Sequence, residues 1–255
     1  MKNLTPHATI SIAVVAAVGL FSLAIFLSAS GRYFFKSTYK SDISVTGSAS
    51  IDFTSDLVVW HGTFKKQDMD LKEAYSMIKE DRAIIEEFLL SKGVSKDEFS
   101  FLSIDIDKRF RTKNHFNNDG DVVDRESIFN GYELSQQVQI SSTNINLVES
   151  ISNEVTDLIE KDIFITSHNP SYYYTKLSEL KIEMIQLAAE DGLLRAQTAV
   201  EGGNAHLGDL LETSIGVFQI LGTNSSDSYS WGGTLNTSHK FKTAYVNVKQ
   251  KYEIE

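Results

Sequence analysis

Residues 43–64 read ISVTGSASIDFTSDLVVWHGTF. They spell two strands and the joint between them. Ile43–Ser50 forms a short strand around Val45-Thr46-Gly47. A turn-rich stretch follows, and Asp56–Lys65 forms a second strand. In that second strand Leu57-Val58-Val59-Trp60 is apolar at consecutive positions. Side chains alternate across a strand, so both of its faces are expected to be covered.

Outward from this pair the chain alternates helices and strands. Asp70 is placed to cap a helix running to about Lys92 and stopping at Gly93. Its stripe is Leu71, Ala74, Tyr75, Ile78, Ile85, Phe88 and Leu89, at helical spacing. Phe99–Lys113 alternates as a strand, with Leu102, Ile104 and Ile106 on one face and Ser103, Asp105 and Asp107 on the other. Asn117-Asn118-Asp119-Gly120 is a hairpin turn, and Arg125–Ser142 returns as a long strand. Asn144–Lys161 reads as a second helix and Ile163–Ser167 as a short strand. Ser178 caps a third helix ending near Gly202-Gly203. Leu210–Leu221 and Lys240–Ile254 close the series as strands, joined by a loop with the aromatic tip Tyr229-Ser230-Trp231-Gly232-Gly233. Two prolines in 255 residues fit such dense regular structure. The expected architecture is α+β, with antiparallel sheets and three packed helices.

The head of the chain is of another kind. Ala8–Ala29 contains no charged residue, and a run of about 22 apolar residues has the length of a bilayer-spanning helix. A cleaved signal would use Lys2 as its basic start and Ser28-Ala29-Ser30 as its cleavage site. The run exceeds a typical signal core, and Arg32-Tyr33-Phe34-Phe35-Lys36 has the make-up of an interfacial anchor. The reading adopted is an uncleaved transmembrane helix preceding the domain. Residues 1–41 are then anchor and juxtamembrane segment, and residues 42–255 the folded domain. By charge alone, Arg32, Lys36 and Lys40 against Lys2 would put the domain in the cytoplasm.

Charge and composition exclude several functions. Four of the 24 basic residues and none of the 34 acidic ones precede position 42. The domain therefore keeps 20 against 34, a net charge of about −14. Such a surface repels phosphate backbones, which argues against nucleic acid as a partner. It is also held off anionic lipid, which suits a domain standing clear of the membrane. Cysteine is absent, which removes disulfides, thiolate metal sites and a cysteine nucleophile.

Three motifs, in order, resemble the SIMPL-domain family. Ile43–Phe64 is similar to that family's opening: a V-x-G strand, a short loop ending in Asp, then an apolar strand ending in Gly. Gly131-Tyr132 before a long strand matches as well. AAEDGLLRAQTAVEGGNAHLGDL, residues 188–210, resembles the second signature through Asp191, Arg195-Ala196, Ala199, Gly203 and Leu207-Gly208. Gly192 stands where the family usually has Ala, a change expected to loosen the helix by about 0.5–1 kcal/mol. The resemblance spans about residues 43–253. It implies a bacterial cell-envelope protein, periplasmic or outer-membrane associated. Some members are linked to oxidative-stress tolerance and some form ring-like oligomers. No family catalytic residues carry over. Export, as the resemblance implies, is preferred to the orientation that charge alone gives.

The candidate sites each have a plain alternative. His115-x-Asn117-x-Asp119-Gly120, with Glu126, mimics calcium-loop spacing, but His holds the first ligand position and strands flank it, so a hairpin tip is the expectation. Asp105 and Asp107 could hold a cation or act as an acid–base pair; a solvated strand face is the expectation. His61 is a lone strand histidine, and the six histidines lack metal-ligand spacing. Asp191 and Arg195, four apart, can pair on a helix surface. Tyr172, Tyr173, Tyr174 and Trp231 are the candidate interface or ligand contacts.

The expected function is a membrane-anchored envelope protein. It is held by residues 8–29, faces the periplasm from the inner membrane, and acts without catalysis as a homo-oligomeric scaffold or stress-protective protein. No catalytic residue, metal or cofactor is assigned. A small-ligand or partner-binding sensor is the alternative, and a hydrolase using Asp105 and Asp107 a third reading.

Overall fold

The computed structural model describes residues 19–28, 41–116 and 120–255. Residues 19–28 are α-helical (α1). Among the described residues no helix is long and apolar enough to cross a membrane. The expected transmembrane helix is therefore corrected: the architecture is α+β without it. The remainder of the expected 8–29 span, and the flank Arg32–Lys36, lie outside the described residues.

The later elements are β1 (Asp42–Thr54), β2 (Leu57–Asp68), α2 (Leu71–Ser91), β3 (Phe99–Phe101), β4 (Asp105–Phe116), β5 (Val122–Ser142), α3 (Ile145–Glu154), a 3-10 helix (Val155–Lys161), β6 (Ile165–Ser167), β7 (Ser171–Tyr173), α4 (Leu177–Glu201), β8 (Leu207–Ile215), β9 (Gln219–Gly222), β10 (Thr234–Leu235) and β11 (Phe241–Ile254). Chain contacts divide them into two compact units. One comprises residues 50–184 and 217–246; the other comprises residues 1–49, 185–216 and 247–255.

The larger unit holds a six-stranded sheet. β2 pairs antiparallel with β5 over eleven residues, from Val58 opposite Ser142 to Asp68 opposite Tyr132. Its other edge takes β6 and β7, while β3 and β4 line β5. Val58, Trp60 and Phe64 alternate into the core, and Leu57, Val59 and His61 are half-buried. The strand is thus buried fully on one face and partly on the other. Trp60 Nε1 donates to Ser167 Oγ at 3.0 Å, and that hydroxyl donates to Ser152 O at 2.6 Å, so the largest core side chain keeps its polar end satisfied. α2 lays Ala74, Ile78, Ile85 and Leu89 into this core, and α3 adds Ile145, Val148 and Ile151. Asp70 caps α2 through the Lys72 N–H at 2.7 Å, as its position predicts.

Several expected elements break. The strand expected over 99–113 is interrupted at 102–104, where Gln136 Nε2 donates to Leu102 O. The helix expected over 144–161 tightens to a 3-10 turn after Glu154 and ends at Asp162 with φ of 58°. β7 and β10 have no clear sequence signal, and β10 pairs parallel to β9, so the strands are not all antiparallel.

In the same unit β9 pairs antiparallel with the first residues of β11, Lys242 opposite Gly222. Lys242 is 1 % exposed, and its ammonium donates to Tyr172 O at 2.5 Å. Burial lowers its pKa to about 8. In the other unit the end of β11 pairs antiparallel with β8, Val248 opposite Ile215.

Lys242 sets a pH dependence. The folded-state pKa lies below the unfolded value of about 10.4, so the folded state is penalised below pH 8, and the penalty fades as pH rises toward 10. Wild-type protein should therefore gain thermal stability from pH 7.5 to pH 10 relative to Lys242→Met. Parallel melting curves at those two pH values check this; equal slopes for both proteins would refute it.

Candidate functional site

The residues of the second signature meet the first strand inside the smaller unit. α4 is buried along Ala188, Gly192, Ala196 and Val200, a stripe repeating every four residues. The side chains are small, so the neighbouring strand comes to backbone distance. A Cβ added at Gly47 would strike Ala188 O and the backbone of Gly192. Gly47 is thus required by close approach of strand and helix, and its neighbour completes the join. The Ser48 N–H donates to Asp191 Oδ2 at 2.8 Å, and Arg195 Nε donates to the same oxygen at 2.9 Å. The Ser48 N–H, then Arg195, hold the Asp191 carboxyl below its ordinary range. Asp191 acts as an acceptor for a strand N–H, and Arg195 orients it. The pairing expected from their spacing is present, and the strand N–H is a third member that spacing alone does not show.

Gly192 also has a reason. A Cβ there would strike Gln250 Oε1, and Gln250 is 5 % exposed. That oxygen has no hydrogen-bond partner and lies against the Gly192 backbone. The residue that departs from the family pattern is therefore matched to Gln250 on β11.

The third motif marks another special backbone. Gly131 has φ of 101°, and a Cβ would press on Asp68 O at 2.5 Å. After it, β5 alternates between buried and half-buried positions; before it, β5 is mostly exposed. The register of β4 on β5 shifts between Lys108 and Phe110, level with this glycine. Gly131 thus sits where the β4–β5 ribbon leaves the packed sheet. The Asp that ends the first motif's loop, Asp56, accepts from Thr175 N at 2.7 Å and from Thr175 Oγ1 at 2.7 Å, tying that loop to the chain ahead of α4 in the larger unit.

The expected contact residues are dispersed. Tyr172 is half-buried in β7; its hydroxyl donates to Glu149 Oε1 at 2.9 Å, and burial with that bond pushes its pKa up to about 12. Tyr173 is 38 % exposed. Tyr174 packs on Phe53 with ring centroids 4.9 Å apart. Trp231 is fully exposed at the loop tip, while Tyr229 beside it packs on Tyr245 at 5.7 Å. Tyr172 and Tyr174 serve the fold; Tyr173 and Trp231 present surface. Asp105 and Asp107 lie exposed on β4 opposite Ser135 and Glu133, and Glu133 is engaged by Arg109 and Lys65. His61 is half-buried in β2. His115 Nε2 lies 3.4 Å from Glu126 across the ribbon; Asn117 and Asp119 lie outside the described residues. Among the described residues, no group of three or more His, Asp or Glu side chains could hold a metal ion.

A cleft that sequence reading missed opens in the larger unit. Its volume is about 550 Å³, and its wall includes Ser55, Asp56, Asn146 and Lys240. Its members come from four separate stretches of chain with no shared spacing, so no motif signals it.

A family model described as "SIMPL: Protein of unknown function (DUF541)" matches residues 43–248. The chain belongs to this family. A search of curated proteins finds no match.

The geometry at Gly192 predicts a sign reversal. Gly→Ala inside a helix ordinarily stabilises by about 0.5–1 kcal/mol. Here Gly192→Ala should destabilise, and Gly192→Ala in a Gln250→Ala background should recover stability, with a coupling of about 1–3 kcal/mol. Urea unfolding of the four proteins measures it. Additive changes would show that the two residues do not touch.

Proposed function

We propose that this SIMPL-family protein acts without catalysis, as a self-associating protein of the cell envelope whose domain builds larger assemblies, in a structural or stress-protective role. The observation that carries self-association is the β4–β5 ribbon. Among the described residues, its two strands beyond Gly131 pair only with each other, and the residues on both faces are largely exposed. A two-stranded ribbon of this kind is marginally stable alone in water. Yet it carries Phe110 at 58 %, Val122 at 42 % and Val123 at 62 % exposure, and Ile106, nearer the packed sheet on β4, is 54 % exposed. The rings of Phe110, Phe129 and Tyr132 form a ladder along it, with centroids 5.8 and 5.2 Å apart. Exposed apolar side chains on a ribbon with a free β4 edge call for a partner, and burying them is worth roughly 25 cal/mol per Å². Lys108, Arg109, Arg111 and Lys113 lie on the same strand, in a domain that is otherwise strongly acidic. A second copy supplies a surface of complementary charge.

The smaller unit adds to this. Along α4 the side chains outside the narrow buried stripe include Leu187 and Leu194, at 41 % and 62 % exposure. Leu210, Leu211 and Ile215 of β8 are each about half exposed as well. The envelope location rests on the resemblance to exported family members. The absence of cysteine is compatible with it.

Sedimentation of the purified full chain tests the reading. The expected result is a discrete species several times the 28.5 kDa chain mass at micromolar concentration. Phe110→Glu combined with Ile106→Glu should shift it to smaller species with unchanged circular dichroism. A wild-type chain that sediments as a monomer under these conditions would sink self-association. For location, a domain protected from protease added to intact spheroplasts and digested only after lysis would sink the envelope assignment.

A further inference from the structure

The cleft of about 550 Å³ in the larger unit lies at the N-terminal end of α3. Its size falls within the range of small-molecule sites. Seven of its eight lining residues have polar or charged side chains, Ile145, 8 % exposed, being the exception, while carbon atoms supply nearly half of the wall's surface.

The polar groups are held in place and partly unused. Lys240 Nζ donates to Asn146 Oδ1 at 2.9 Å and to Glu149 Oε2 at 3.3 Å, which leaves a third ammonium proton. Asn146 spends its carbonyl on that bond and keeps its amide N–H groups. Asp56 accepts two bonds from Thr175, and each carboxylate oxygen retains acceptor capacity. Thr143 adds a hydroxyl to the wall. Ser55 is fixed beside Lys240 by its backbone N–H, which donates to Lys240 O at 2.9 Å. Ser55 is 3 % exposed, and its Oγ has no hydrogen-bond partner. A buried hydroxyl without a partner costs about 1–3 kcal/mol. That cost is recovered when the hydroxyl turns to a bound group.

Charge selects the class of ligand. Lys240 and Asp56 cancel within the wall, Glu149 stands behind Lys240, and the domain as a whole is strongly negative. An anion meets no net attraction here, even with the positive end of α3 at hand. What the wall does offer is donors and acceptors interleaved over a short span. Neighbouring ligand hydroxyls, each donor and acceptor at once, satisfy such a wall. We propose that this cleft binds a neutral, hydroxyl-rich ligand, a saccharide unit, with Asn146, Lys240 and Asp56 gripping its hydroxyls and Ser55 completing the set. The site is independent of the ribbon and of self-association.

The test is calorimetric titration of the purified full chain with three neutral probes, maltotriose, cellotriose and chitotriose, and with inorganic phosphate. The expected result is binding of at least one trisaccharide with millimolar or tighter affinity. Asn146→Ala and Thr143→Val should each weaken it about tenfold, the loss of one hydrogen bond to a ligand group. Both variants should retain the wild-type melting temperature and sedimentation. Ser55→Ala, which removes the unpartnered oxygen, should weaken binding while leaving the fold intact or more stable. No binding of any trisaccharide, binding of phosphate alone, or trisaccharide binding untouched by all three variants would each overturn the assignment. A wild-type monomer that still binds a trisaccharide would overturn only the self-association reading.

Discussion

The contact on which the signature residues converge is the approach of a helix to a strand at backbone distance. Gly47 on β1 is required by it, because an added Cβ would strike main chain, while at Gly192 on α4 an added Cβ would meet the end of the buried Gln250 side chain. Close packing of this kind leaves no slack, because a protein interior is already near crystal density. It also explains the polar residues around it. Bringing the strand against the helix leaves the Ser48 N–H in need of an acceptor, and Asp191 supplies one from the helix, steadied by Arg195. The motif residues Gly47, Asp191 and Arg195 are, in this fold, a glycine contact and the hydrogen bonds that hold it. Gln250 on β11 shows the same constraint at work, since its oxygen occupies the space that the alanine usual in the family would fill.

The larger unit is organised by a different constraint, the alternation of β2 and β5. Eleven residue pairs in continuous register put Val58, Trp60 and Phe64 from β2 and Leu134, Val138 and Ile140 from β5 on one buried face. A slip of one residue would turn this whole set to the opposite side. The alternation stops at Gly131, whose positive φ lets β5 continue as an exposed ribbon with β4. One chain segment thus serves two ends. Its second half builds the core, and its first half pairs with β4 in a ribbon whose exposed side chains include Phe110 and Val123 and the basic residues of β4.

Surface and cleft differ in the same way that packing and recognition differ. The ribbon offers large apolar side chains and a free strand edge, the materials of protein–protein contact. The cleft offers oriented hydroxyl, amide, carboxylate and ammonium groups and one apolar side chain, Ile145, the materials for holding a small polar ligand. Each rests on its own residues, so the proposed assembly surface and the proposed ligand cleft are separable in this chain.

The sequence by itself determined the α+β class, the positions of α2, α4 and the long strands, the hairpin direction after β4, and the family. These follow from local periodicity and from capping and turn residues such as Asp70 and Gly93, whose physics lies within a few neighbours along the chain. It misread what depends on distant partners. The strand expected over 99–113 breaks where Gln136 claims the Leu102 carbonyl, and β7 and β10 form only because β2 and β9 offer edges to them. Lys242 looks like any strand lysine until neighbouring elements bury it. The tyrosines at 172 and 174 look like displayed aromatics until Glu149 and Phe53 take them up. The apolar run at the head of the chain suggested a spanning helix, and among the described residues no helix is long and apolar enough to cross a membrane. Tertiary structure alone decided the cleft, because Ser55, Asp56, Asn146 and Lys240 are brought together across nearly 190 positions of chain by strand pairing and helix packing. Periodicity reports which face of an element is apolar; which other element covers that face is settled only by the free energy of the assembled core.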